Sequence, residues 1–238
     1  LLQSDQWSRP PRLSPPTTDG TFRELIHLKV RADSIRPYVL RKLVERYLEQ
    51  ERWKQAYVRI NELVDLQPLH PRWHLLRGVI LTQWGGVDSK RFRKAETAFS
   101  NAIRFSEHPS SLLSLEARYR LGILSAFRLD QPKRGRDLLE GVVQARVTVK
   151  TRPVLKKARF GLGKIYFRAE RYFDAIKTYK QIATMRSIST SSRVQALSNL
   201  RRIYVKLGRE NEAERLRGLR DQLDGGTLSP DRMSDLLY

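Results

Sequence analysis

Cysteine is absent from this chain, and with it disulfide bridges, thiolate metal ligands and a cysteine nucleophile. Histidine is scarce as well. His27, His70, His74 and His108 are scattered, and no His-Glu-x-x-His pair is present to hold zinc. No apolar run reaches the roughly 18 residues that a membrane-spanning helix requires. Acidic side chains are few beside basic ones, 25 against 46, and the formal charge is +21. That imbalance points to an acidic partner or surface. Gly161, Gly163 and Lys164 have a superficial likeness to a phosphate-binding loop, but the leading glycine is missing and Ile165 stands where Ser or Thr would meet Mg²⁺. No pair of carboxylates is placed for acid–base work. No catalytic, cofactor-binding or metal-binding residues are therefore expected, and the chain reads as non-enzymatic. It begins Leu1-Leu2-Gln3 without a methionine, which fits removal of a targeting segment.

What the sequence does have is helical periodicity, clearest over residues 156–182. Phe160, Leu162, Ile165 and Tyr166 recur at helical spacing around Gly163, and Tyr172, Ala175, Ile176, Tyr179 and Ile182 follow at steps of three and four. Ala169-Glu170-Arg171 reads as the turn between two helices folded back on each other. Gly163 and Ala175 let the two backbones approach while the rings fill the space beside them. A leucine at Gly163 should overpack this contact, and an alanine should be accommodated.

Leu162-Gly163, Tyr166 three residues after the glycine, Ala175 nine further on and Tyr179 four beyond that form a pattern. It resembles the tetratricopeptide repeat, a helical hairpin of about 34 residues. The resemblance implies an all-α fold, a right-handed superhelical array of antiparallel helix pairs (an α-solenoid), here with an extended N-terminal arm. Five pairs are expected over residues 37–223. The first carries Leu40, Leu43, Tyr47, Ala56, Ile60 and Leu63, and the second Gly78, Ala95, Phe99 and Ala102. Residues 84–93 hold an insertion of about five residues in this second pair, expected as a loop, with Gly85-Gly86 as a turn signal and Asp88-Ser89 as a candidate start for the second helix. In the third pair Gly135, Leu139 and Val142 replace the usual small-then-aromatic set, and in the fifth Arg217 replaces the aromatic. Residues 1–20, with four prolines, read as the arm, 21–36 as a capping helix, and 224–238 as a tail with a short helix. Polar residues on the last repeat helix suit an end facing water.

Repeat positions of this kind are packing positions, so function has to be sought on the surface. The resemblance implies that the first helix of each pair lines a concave groove that holds partner proteins. The third, fourth and fifth repeats then contribute Tyr119 and Phe127; Lys157, Phe160, Lys164, Phe167 and Arg168; and Arg202 and Lys206. From Gly141 to Ala169, and again from Ala175 to Arg209, there is no acidic residue and there are eight cations in each stretch. These nine side chains are the candidate partner-binding residues, suited to an acidic or extended segment of another protein. Glu45 and Ile123 stand where the carboxylate clamp of tetratricopeptide cochaperones has asparagine, so that clamp is not expected. Nucleic acid is the rival partner, since cations with interleaved rings suit a phosphate backbone and stacked bases, though no RNA-recognition, homeodomain or zinc-finger signature is present. A purely architectural subunit of a large complex is the third reading. For location, a bacterial envelope or cytoplasm is favoured and an organelle remains open.

Overall fold

The computed structural model describes residues 35–238 apart from 85, 87, 186–187, 230–231 and 238. The expected arm over 1–20 and most of the expected capping helix lie outside the described residues. Ile35 and Arg36 already belong to the first described helix, α1 (Ile35–Glu49). All eleven regular elements among the described residues are α-helices, and they pack in successive pairs. The chain divides into two compact units, one up to Phe105 and one from Ser106.

The first unit contains α1, α2 (Trp53–Leu66), α3 (Pro71–Trp84) and α4 (Ser89–Arg104). Leu40, Leu43 and Tyr47 on α1 meet Ala56, Ile60 and Leu63 on α2 in one buried cluster. In the second pair Gly78 lies against the Phe99 ring, so close that a β-carbon there would collide with it. The insertion departs from expectation. α3 ends at Trp84 and α4 begins at Ser89, so residues 89–93 are helical and only 85–88 connect the two. The physical reason is local. The Asp88 carboxylate caps α4, accepting from the backbone N–H of Lys90 at 2.9 Å. Phe92 continues the buried stripe of Ala95 and Phe99 and is itself buried. The Arg91 guanidinium lies 4.1 Å over the Trp84 ring and donates to the Trp84 carbonyl at 3.0 Å, tying the new turn back to α3.

The second unit contains α5 (Leu112–Phe127), α6 (Pro132–Val143), α7 (Arg152–Arg168), α8 (Tyr172–Thr184), α9 (Thr190–Lys206), α10 (Glu210–Asp224) and α11 (Met233–Leu237). The α5–α6 pair replaces the missing aromatic by closer backbones. A β-carbon on Gly135 would lie 2.7 Å from the Gly122 carbonyl oxygen, and one on Gly122 would lie 2.9 Å from Leu139. In the α7–α8 pair a β-carbon on Gly163 would lie 2.5 Å from Cζ of Tyr179, whose ring is buried. Alanine is therefore not accommodated there without moving that ring, contrary to the expectation from helix propensity. Arg217 is exposed, as its position on the last repeat helix suggested. Beyond it the chain turns back: Met233 and Leu237 of α11 are buried in the cluster shared by α8, α9 and α10. Lys180 and Arg215 donate to the Leu237 and Leu236 carbonyls that end α11.

Candidate partner-binding groove

Three first helices, α5, α7 and α9, build one side of the second unit, and α5 and α7 pack directly on each other. Each helix is placed by its apolar stripe against its own partner: Leu115 and Leu124 on α5, Leu155, Ala158, Leu162 and Ile165 on α7, Ala196, Leu200 and Ile203 on α9. The opposite faces remain for other work. Between the middles of α5 and α7 and the first turns of α9 lies a cleft of about 190 Å³, walled by Tyr119 and Ile123 of α5, Phe160 and Gly161 of α7, and Ser192 and Gln195 of α9. Lys156, Lys157 and Lys164 stand around it. Gly161 shapes the floor: a β-carbon there would lie 2.8 Å from Leu139 and 2.9 Å from Ile123, so α7 rests directly on both.

Of the nine candidate residues, Tyr119, Lys157, Phe160 and Lys164 line this cleft. The other five do not. Phe127 and Arg168 face each other near the helix C-termini, the guanidinium 5.9 Å over the ring. Phe167 packs on Tyr172 of α8, centroids 5.9 Å apart, and belongs more to the hairpin than to the open face. Arg202 and Lys206 are exposed on the C-terminal half of α9. Burial pushes Tyr179 up to about 12 while the Arg202 charge opposes the rise, so the phenol stays neutral. The Tyr179 ring lies 6.2 Å from that of Phe160.

The charges are not equivalent. Glu116 on α5 holds Arg120 at 2.8 Å and Lys157 at 3.9 Å, and Lys157 also lies 5.9 Å over the Tyr119 ring. Tyr119 is raised above the ordinary phenol range, chiefly by burial and next by the Glu116 carboxylate. Lys156 donates to the Ser192 hydroxyl at 3.2 Å. Lys164, Arg202 and Lys206 form no ion pair among the described residues. Lys156 and Ser192 escape the sequence reading, because they lie one and three positions before the groove positions counted along α7 and α9. Glu116, a groove position of the third repeat in the same count, comes from the neighbouring helix and pairs with Lys157, so the two acid-free stretches do not make an acid-free groove. Among the described residues no group of three His, Asp or Glu could hold a metal ion, and no helix is long and apolar enough to cross a membrane.

Successive helix pairs whose first helices share an open cleft define a helical-repeat solenoid. Residues 123–187, from the end of α5 to just past α8, match the family model described as tetratricopeptide repeat. Among solved structures, MamA 41-end from Desulfovibrio magneticus RS-1 is similar in fold, with TM-score 0.64 and 18% identity over 83% of this chain and 100% of that one. BtubC from P. vanneervenii gives TM-score 0.67 at 14% identity over 87% of each chain. YrrB, described as a TPR protein with an unusual peptide-binding site, gives 0.56 at 14% identity over 91% of this chain and 95% of its own. No curated protein matches the chain in sequence. What these likenesses share with the chain is the fold, a solenoid of paired α-helices.

Proposed function

We propose that this protein is a non-enzymatic scaffold that holds an extended, acidic segment of a partner protein across α5, α7 and α9, within a larger assembly. The observation that carries the reading is the cleft itself, ringed by Lys156, Lys157 and Lys164 and floored by Tyr119, Ile123 and Phe160. Cations around an apolar floor offer an extended chain both charge-assisted hydrogen bonds and side-chain burial. Lys164 and Arg202 supply exposed charge with no ion pair among the described residues, Lys206 and Arg168 extend it towards the helix C-termini, and Phe127 and Phe167 flank that end.

The test is a double charge reversal, Lys164→Glu with Arg202→Glu. Exposed charges of this kind contribute little to stability, so the melting temperature should stay within a few degrees of the parent. Capture of an acidic partner segment should fall by about tenfold or more, chiefly through a slower on-rate. An RNA oligonucleotide is titrated in parallel at several salt concentrations, because phosphate binding weakens steeply with salt. Undiminished binding of the acidic segment by the double variant overturns the reading. Tighter binding of the oligonucleotide than of any acidic peptide transfers the groove to nucleic acid.

A further inference from the structure

We propose that the cleft is a socket for a single apolar or aromatic side chain of the partner segment, and that Glu116 makes it read charge on one side of that anchor only. The inference rests on the acidic-segment reading and specifies it. Size is the first argument. At about 190 Å³ the cleft falls below the roughly 300–1,000 Å³ typical of cofactor and small-molecule sites. It has the dimensions of one side chain. Ser192, Gln195 and the lysines share its lining, and two rings and an isoleucine, Tyr119, Phe160 and Ile123, with the Gly161 backbone between them, form its apolar side. Such a surface gains most from burying an apolar or aromatic group.

Charge is the second argument. At the Tyr119 end, Glu116 already sits between Arg120 at 2.8 Å and Lys157 at 3.9 Å. It fills in cis the place that a partner's carboxylate would otherwise take. An incoming acid there has to displace Glu116 from its cations and lie beside a like charge. At the Phe160 end the arrangement is open. Lys164 stands at the cleft with no ion pair among the described residues. An acid beside the anchor on this side therefore meets an unpaired cation. The favoured segment carries one large apolar side chain with an acidic neighbour on one side, and a neutral or basic neighbour on the other. Glu116 is thus a specificity-determining residue.

The probes are short, end-blocked peptides with a central phenylalanine in a glycine background, carrying glutamate before it, after it or on both sides. A fourth peptide has alanine in place of the phenylalanine. Affinities are measured by titration at low salt. One singly acidic peptide should bind about tenfold tighter than the other, and the doubly acidic peptide should be no tighter than the better single one. The alanine peptide should lose about tenfold. In Glu116→Gln, whose folding is checked by its melt, the poorer singly acidic peptide should approach the better one, because Arg120 and Lys157 are released for it. Equal binding of the two singly acidic peptides by the parent protein, or no change in Glu116→Gln, overturns the one-sided charge reading. Equal binding of the alanine and phenylalanine peptides overturns the socket while leaving an acidic groove in place. Failure of every acidic peptide to bind overturns the socket and the groove together.

Discussion

At the level of single residues, the turn after the first helix of a repeat is where local strain is concentrated. Glu51, Asp130 and Glu170 all take positive φ, at 54°, 53° and 56°, and Gly208 takes 69° at the matching place in the last pair. Three of these turns share one construction. Tyr47, Tyr166 and Tyr204 each accept, through their backbone carbonyl, the N–H of an arginine five residues on, at 2.8, 2.9 and 2.9 Å. Those arginines, Arg52, Arg171 and Arg209, fold back over the same tyrosine rings at 5.2, 5.1 and 5.0 Å. This is the Schellman closure of a helix end, and it requires a left-handed residue between. Glutamate is poorly suited to that conformation, by about 1–2 kcal/mol, against the roughly 0.5–1 kcal/mol of extra chain entropy that glycine loses on folding. Glu170→Gly should therefore raise the unfolding free energy, read from denaturant titration, by up to about 1 kcal/mol. Gly208→Ala should lower it by a similar amount. A lower midpoint for Glu170→Gly would show that its side chain contributes more than the strain. Gly163 presents the opposite case, a glycine chosen for space. Gly163→Ala should destabilise by roughly 1–3 kcal/mol, because a buried ring stands 2.5 Å from the added carbon. Combined with Tyr179→Leu, the loss should be smaller than the sum of the two single losses. Simple additivity would mean that glycine and ring do not meet.

At the level of elements, the start of α3 gathers two imidazoles whose ionisation folding alters. His74 is buried, with Nε2 held 2.6 Å from the Pro68 carbonyl oxygen, and His70 stacks on Trp73 with centroids 4.7 Å apart. Both imidazoles are held below their ordinary value, chiefly by burial, with Arg72 beside His70 and Arg77 beside His74 adding to it. The folded chain thus prefers them neutral. Their contribution is fully present above the unfolded value of about 6.5, and is lost as pH falls through the depressed folded values. Denaturant midpoints should decrease between about pH 7 and pH 5, before ordinary carboxylates titrate, and a His70→Asn, His74→Gln variant should show a flatter profile. A flat profile in the parent protein would remove this role. The helices themselves were largely legible in the sequence. Gly163, Tyr166, Ala175 and Tyr179 announce a hairpin because close packing demands small and large residues at fixed steps. The start of α4 was legible in Asp88-Ser89, but the repeat length argued for a loop as far as Arg93, which Phe92 overrides by continuing the buried stripe. The cleft was half legible. Counting along α5 and α7 places Tyr119, Lys157, Phe160 and Lys164 at it, whereas Arg202 and Lys206, counted along α9, lie outside it. The approach of Glu116 depends on the register between α5 and α7, which no single helix encodes.

At the level of the whole molecule, the formal charge of +21 acts on folding and on binding with opposite signs. A chain so unbalanced repels itself, which destabilises the compact state at low ionic strength. Most of the ion pairs that could offset this are exposed contacts within one helix turn, such as Arg171–Asp174 and Arg209–Glu212, and pairs of that kind contribute little. Added salt screens the general repulsion over a distance of about 10 Å at 0.1 M, and more strongly above it. Raising a neutral salt from about 0.02 to 0.3 M should therefore raise the melting temperature, while the same change weakens an acidic peptide held by Lys164 and Arg202. Stability and affinity, followed in one salt series, should move in opposite directions. The Lys164→Glu, Arg202→Glu variant removes two positive charges and adds two negative ones, so its melt should respond less to salt than the parent's. If salt lowers the melting temperature of the parent, local ion pairs outweigh the global repulsion. The basic surface would then be organised for the fold rather than held open for a partner.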